Sequence, residues 1–153
     1  IGVGLMLAPV YAEPGIQFDT RSVLLSISGL FLGPWPTLMA VVMTAVARYW
    51  IGGAWIVGVL VIVASGALGV AWQRVHRRLH GRRLQSFYLL GLVVHVVMLT
   101  LIATIPGSGP ALVREIAVPV MALYPLATVV LGLLLTQRLQ RQRTVLKLHE
   151  SEA

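Results

Sequence analysis

The sequence contains no cysteine and only five acidic residues in 153. Without cysteine there is no disulfide framework and no thiolate metal site. Charged residues of both signs make up 11 %, where soluble domains carry about 25 %. Hydrophobic residues make up 58 %, where soluble domains carry about 45–50 %. The mean hydropathy of +0.87 agrees. This composition excludes a soluble globular enzyme and a disordered tail, and it places most of the chain in a lipid bilayer. A nucleophile–base pair, a Gly-rich phosphate loop, paired catalytic carboxylates and a metal-ligand cluster are all missing as well. The chain is therefore not read as an enzyme, and its sequence calls for no cofactor and no metal.

What is present is basic charge in two places. Twelve Arg and Lys give a net charge of +7 and a pI near 11.1. Such a balance can mark a nucleic-acid binder, but its distribution points elsewhere. Five arginines fall in Arg74–Arg83 and four basic residues in Arg138–Lys147, each group flanking apolar runs. This is the positive-inside pattern of a membrane protein, and nucleic acid is not expected as a partner. The chain starts at Ile1 within an apolar run that no basic segment precedes, so we read it as a trimmed chain with no complete signal peptide in view.

Apolar runs cover Ile1–Val10, Val23–Leu32, Thr37–Trp50, Ala54–Trp72, Phe87–Ile105 and Ala117–Thr136. The last three can cross a hydrocarbon core of about 30 Å at about 1.5 Å per residue. The first is read as the tail of a truncated span. Gly33-Pro34-Trp35-Pro36 separates the second run from the third, and its prolines remove backbone donors and disfavour helix before them. We read a turn there and two short helices; one kinked span from Ser22 to Trp50 is the alternative and would move Arg21 to the other side. The expectation is an all-α polytopic membrane bundle of five to six spans. With the basic segments in the cytoplasm, the loop Tyr11–Thr20, the turn at Gly52-Gly53 and the loop Pro106–Arg114 are external. The loop Tyr11–Thr20 carries Glu13 and Asp19 and no Lys or Arg, as suits an external loop. Tyr11, Tyr49, Trp50 and Trp55 fall at the outer interface, and Trp35, Trp72 and Tyr88 at the inner one.

The residues that can carry function lie near the outer side. Asp19 precedes a helix start, where it can cap free N–H groups. Arg21 follows on the first turn, and Arg48 sits just inside the outer end of its helix. For both arginines, snorkelling to headgroups is the ordinary explanation. The functional one is a pair of guanidinium forks at one membrane level, which suit a carboxylate. Asp19 can neutralise at most one of them. His95 lies mid-span, where it can bond a neighbouring helix or sense protons. Arg114 is a further external cation, either a third group near the site or a plain surface charge. The cluster Ala64-Ser65-Gly66-Ala67-Leu68-Gly69 is read as close helix packing. Pro119 and Pro125 are expected to kink the last helix. From Gln137 to Leu148 no Gly or Pro stops that helix, so it is expected to leave the membrane and extend into the cytoplasm.

Three motifs carry a resemblance. Phe18-Asp19-Thr20-Arg21, Gly29-Leu30-Phe31-Leu32-Gly33-Pro34 and Arg48-Tyr49-Trp50-Ile51-Gly52-Gly53 occur in this order. Together they resemble the LytS/YhcK-type membrane sensor, the five-transmembrane LYT receptor module, with its Asp-x-Arg, its Gly-Pro after a short apolar helix and its Arg before Gly-Gly. The ending Leu148-His149-Glu150-Ser151-Glu152-Ala153 resembles the lead-in of many PAS domains. The resemblance implies a sensory input domain over residues 1–137, and a linker helix over residues 138–153 leading to a covalently attached output domain. That output would be a histidine kinase or a cyclic-di-GMP enzyme in the bacterial inner membrane, with a homodimer as the usual assembly. It implies a small anionic ligand, such as a pyruvate-like carboxylate, or envelope state as the stimulus, with Asp19, Arg21 and Arg48 as the site. Where carboxylate-binding relatives place polar side chains early in the next helix, this chain has Val57, Val59, Val61 and Ile62. A transporter component and a passive membrane anchor are the alternative readings.

Overall fold

The computed structural model describes residues 10–13, 16–18, 21–52, 55–78 and 82–151. It is a helical membrane bundle with a short β-ribbon ahead of it. Strands β1 (Val10–Glu13) and β2 (Ile16–Phe18) pair antiparallel, with Val10 opposite Phe18 and an irregularity between Tyr11 and Glu13. The sequence reads as a loop over Tyr11–Thr20, and the structure forms most of this ribbon within it. Val10, Tyr11, Ile16 and Phe18 are strand formers, and the Pro14-Gly15 dipeptide between them is a turn signal.

Five helices follow: α1 (Arg21–Leu32), α2 (Pro34–Ile51), α3 (Trp55–Arg78), α4 (Arg83–Ala103) and α5 (Gly109–Ser151). The segment from Ser22 to Trp50 is two helices, as the two prolines predict. Gly33 makes the turn with φ of 87°, a left-handed value that glycine adopts without strain, and Pro34 opens α2. Gly52 closes α2 with φ of 79° for the same reason. Helices α3, α4 and the Gly109–Gln142 part of α5 are long and apolar enough to cross a membrane. Of the run Ile1–Val10 read as the tail of a truncated span, residues 1–9 lie outside the described residues and Val10 opens β1.

Helix α1 is the centre of the bundle and touches all four other helices. Its 12 residues reach only about 18 Å, too short to span about 30 Å of hydrocarbon, and eight of them are buried. Its packing on α3 depends on small residues. A Cβ on Gly69 would run into the Ser26 carbonyl, and one on Gly29 would stand 2.7 Å from the Val70 nitrogen. The cluster from Ala64 to Gly69 is thus a close-approach seam, with Ser65, Gly66 and Gly69 buried. Gln73 of α3 donates to the carbonyls of Gly29 and Leu30 at 2.8 and 3.3 Å. These are C-terminal carbonyls of α1 that lack helical partners.

Helices α4 and α5 pair along their length. Leu30, Phe87, Leu90 and Val94 form one apolar core, and Leu99, Ile116 and Val120 form a second between α4 and α5. A Cβ on Gly91 would stand 2.8 Å from Pro125 and Thr128, so α4 comes close to α5 at that proline. Helix α5 runs through Pro119 and Pro125 without a break. Its 43 residues reach about 65 Å, roughly twice the hydrocarbon thickness.

Candidate functional site

The first residue of the central helix is Arg21, and its position follows from the shortness of α1. Ser22 Oγ lies 3.3 Å from His95 Nε2, and His95 stands about 12 Å along α4 from its Ala103 end. The N-terminus of α1 therefore opens inside the bundle and not at its surface. Arg21 is only 6 % exposed. On α2, only Thr37, Thr44 and Arg48 are buried, a thin seam on an otherwise exposed helix. Arg48 is 8 % exposed. Measured from the Gly33 turn, Arg21 lies about 17 Å along α1 and Arg48 about 21 Å along α2, so the two share one level.

Of the two readings of these arginines, burial does not favour snorkelling: both are covered by protein, and α3 supplies a berth for Arg48. That berth is Gly58. A Cβ there would overlap the Nε of Arg48 and stand 3.1 Å from its Cγ and Cδ. The Arg48 stem thus lies across the bare backbone of α3. Gly58 stands between Val57 and Val59, and its approach to Arg48 was not read from the sequence. A glycine within a run of β-branched residues was the available signal.

Charge in a low-dielectric region is costly unless it is compensated, so two buried arginines at one level favour negative charge beside them. The amide groups of the first turn of α1 point the same way, and the helix dipole adds positive potential there. The arrangement suits a small anion. Three hydroxyls on these helices are committed to backbone. Ser26 donates to Val23 O at 2.9 Å, Ser65 to Val61 O at 2.7 Å, and Thr44 to Ala40 O.

His95 is fully buried. Its Nδ1 lies 2.6 Å from the Gly91 carbonyl, which can only accept, so Nδ1 carries the proton and donates. Nε2 is then the acceptor for the Ser22 hydroxyl. The ring stacks on Tyr124 of α5 with centroids 4.8 Å apart and planes at 20°. His95 thus ties α4 to α1 beside Arg21 and faces α5. These contacts engage both ring nitrogens and one ring face of His95.

Arg114 is exposed near the start of α5, as is Glu115, and neither shares the burial of the arginine pair. Asp19 lies outside the described residues. Among the described residues no group of three or more His, Asp or Glu is arranged to hold a metal.

Comparison with curated proteins and with solved structures returned no match. A family model described as "5TMR of 5TMR-LYT" matches residues 1–138 and so covers nearly the whole bundle. It takes in the short central helix, the Gly33 turn, both buried arginines and the apolar length of α5. The chain belongs to the LytS-type five-transmembrane receptor family, the membrane sensory module of signalling proteins.

Proposed function

We propose that this sensory module binds a small external carboxylate between Arg21 and Arg48 and passes the event to an output domain through α5. The observation that carries this reading is the burial of two arginines, on neighbouring helices and at one level, one of them the first residue of the central helix. An anion placed there accepts charge-assisted hydrogen bonds from both forks. Asp19, two residues before Arg21, belongs to the same proposed site through the family motif.

The route out is short. Drawing Arg21 toward an anion moves Ser22, Ser22 holds His95, and His95 lies flat on Tyr124 of α5. Helix α5 then continues beyond the apolar span toward the C-terminus. A ligand can drive this only if it binds one arrangement of α1 and α5 more tightly than the other. Residues 1–137 act as the sensor and 138–153 as the linker helix, with that linker in the cytoplasm of a bacterial inner membrane and the output a kinase or a cyclic-di-GMP enzyme. The Arg74–Arg83 segment supports this orientation by the positive-inside rule.

The test is a binding screen of small carboxylates, pyruvate among them, against the purified domain in nanodiscs, with Arg48→Ala as the control. Saturable binding by the native chain and its loss in the variant are expected. Equal binding by both proteins, or none by either, would overturn the assignment.

A further inference from the structure

A second basic site lies on the opposite end of the bundle, and the carboxylate reading makes no use of it. Helices α2 and α3 diverge to leave a groove of about 630 Å³, within the range of about 300–1,000 Å³ common to small-molecule sites. Along α3, Val63, Ala67 and Val70 line it, and the same stripe continues at helical spacing into Arg74 and Arg77. Leu38 and Val41 form the α2 wall, and Pro34, at the start of α2, closes the basic end. Gly66 also lines the groove, and there α2 comes close to α3: a Cβ on Gly66 would stand 2.6 Å from Val41.

The chemistry along this groove is ordered. It is apolar over the depth where the bundle crosses the membrane, and it turns cationic at one end. The walls open sideways, with Leu38 and Val63 about half exposed. Trp35, next to Pro34, is 76 % exposed at the same end, the position of an interfacial anchor. Arg74 and Arg77 are exposed at the mouth. We propose that the groove between α2 and α3 is a binding site for an anionic glycerophospholipid, with an acyl chain along Val63, Ala67 and Val70 and the phosphate at Arg74 and Arg77. A soluble phosphate would use the arginines but not the apolar length. A second copy of the chain docked symmetrically would bring two further arginines to the same place, so like charge opposes it. Basic pockets between membrane helices at the cytoplasmic surface recognise lipid headgroups in general.

The experiment uses the whole chain in phosphatidylcholine nanodiscs, titrated with phosphatidylglycerol and read by native mass spectrometry. Two variants are compared, R74Q/R77Q, which removes the charge, and Ala67→Phe, which fills the groove and keeps it. Each is expected to weaken retention of phosphatidylglycerol by at least tenfold, while carboxylate binding at the Arg48 end stays unchanged. Both variants alter exposed positions, and unchanged elution and helicity are the control for folding. Retention equal to that of the native chain in either variant would overturn the proposal. Displacement of the lipid by glycerol phosphate at equal concentration would also overturn it, by showing that the apolar length plays no part. A change of oligomeric state in R74Q/R77Q with lipid retention intact would assign the groove to a second copy instead.

Discussion

Replacing Gly58 by alanine would move Arg48 without removing its charge. The added Cβ falls on the Nε of Arg48 and within 3.1 Å of Cγ and Cδ, so the side chain has to leave its berth on α3. An arginine stem is flexible, and the cost to folding is small. The cost to recognition is larger, because a planar fork binds a carboxylate through two parallel hydrogen bonds that hold only in one orientation. Hydrogen bonds to charged groups contribute about 1.5–3 kcal/mol each. Loss of one of the pair weakens carboxylate binding by about 10- to 150-fold, at about 1.4 kcal/mol per factor of ten. Arg48→Lys is expected to lose a similar amount, since it keeps the charge and loses the fork. The assay is calorimetric titration of the best carboxylate from the screen into nanodisc-embedded protein, beside a thermal melt. Native affinity in Gly58→Ala together with loss of binding in Arg48→Ala would refute the argument that the α3 berth orients Arg48. A melting temperature that drops far enough to account for the affinity loss would refute it as well.

Three further outcomes are expected. Gly69→Ala forces α1 away from α3, because its Cβ meets the backbone carbonyl of Ser26, which has no freedom to swing aside; a loss of about 1–3 kcal/mol is expected, read as a lower midpoint in a detergent melt. Gln73→Leu keeps the bulk of the side chain and removes the donor to the Gly29 and Leu30 carbonyls; it should destabilise by about 1–3 kcal/mol, and a melt matching the native chain would show that those carbonyls need no cap. His95→Ala removes a fully buried ring, its hydrogen bond to Ser22 and its stack on Tyr124; it should cost about 3 kcal/mol, and His95→Phe, which keeps the ring contact, should lose less. In a full-length chain His95→Phe should also bind carboxylate while the output response falls, and an undiminished response would remove His95 from the proposed route to α5.

Much of this architecture is written in the local sequence. Apolar length and basic flanks select helices α3, α4 and α5 as spans, because those signals depend only on which residues are consecutive. Pro34 and Pro36 separate α1 from α2 because proline restricts its own backbone and that of its neighbour. The shared level of Arg21 and Arg48 follows from helical rise on either side of one turn. The β-ribbon was less legible, since its seven residues of strand lie beside Pro14-Gly15 and read equally well as loop.

The sequence by itself determined that the chain belongs in a bilayer; it favoured two short helices meeting at Gly33 with two arginines at one height over a single kinked span, and the structure settled that choice. The sequence could not determine where those arginines point. Facing lipid, they would snorkel; facing protein, they make a buried cationic site. Tertiary structure alone decided between these, by placing α1 at the centre of the bundle and leaving a bare backbone at Gly58 for Arg48 to cross. The physical reason is that the direction of a side chain around a helix has meaning only once the neighbours of that helix are known. His95 shows the same limit: its sequence context is uniformly valine, and only packing joins it to Ser22 on one side and Tyr124 on the other.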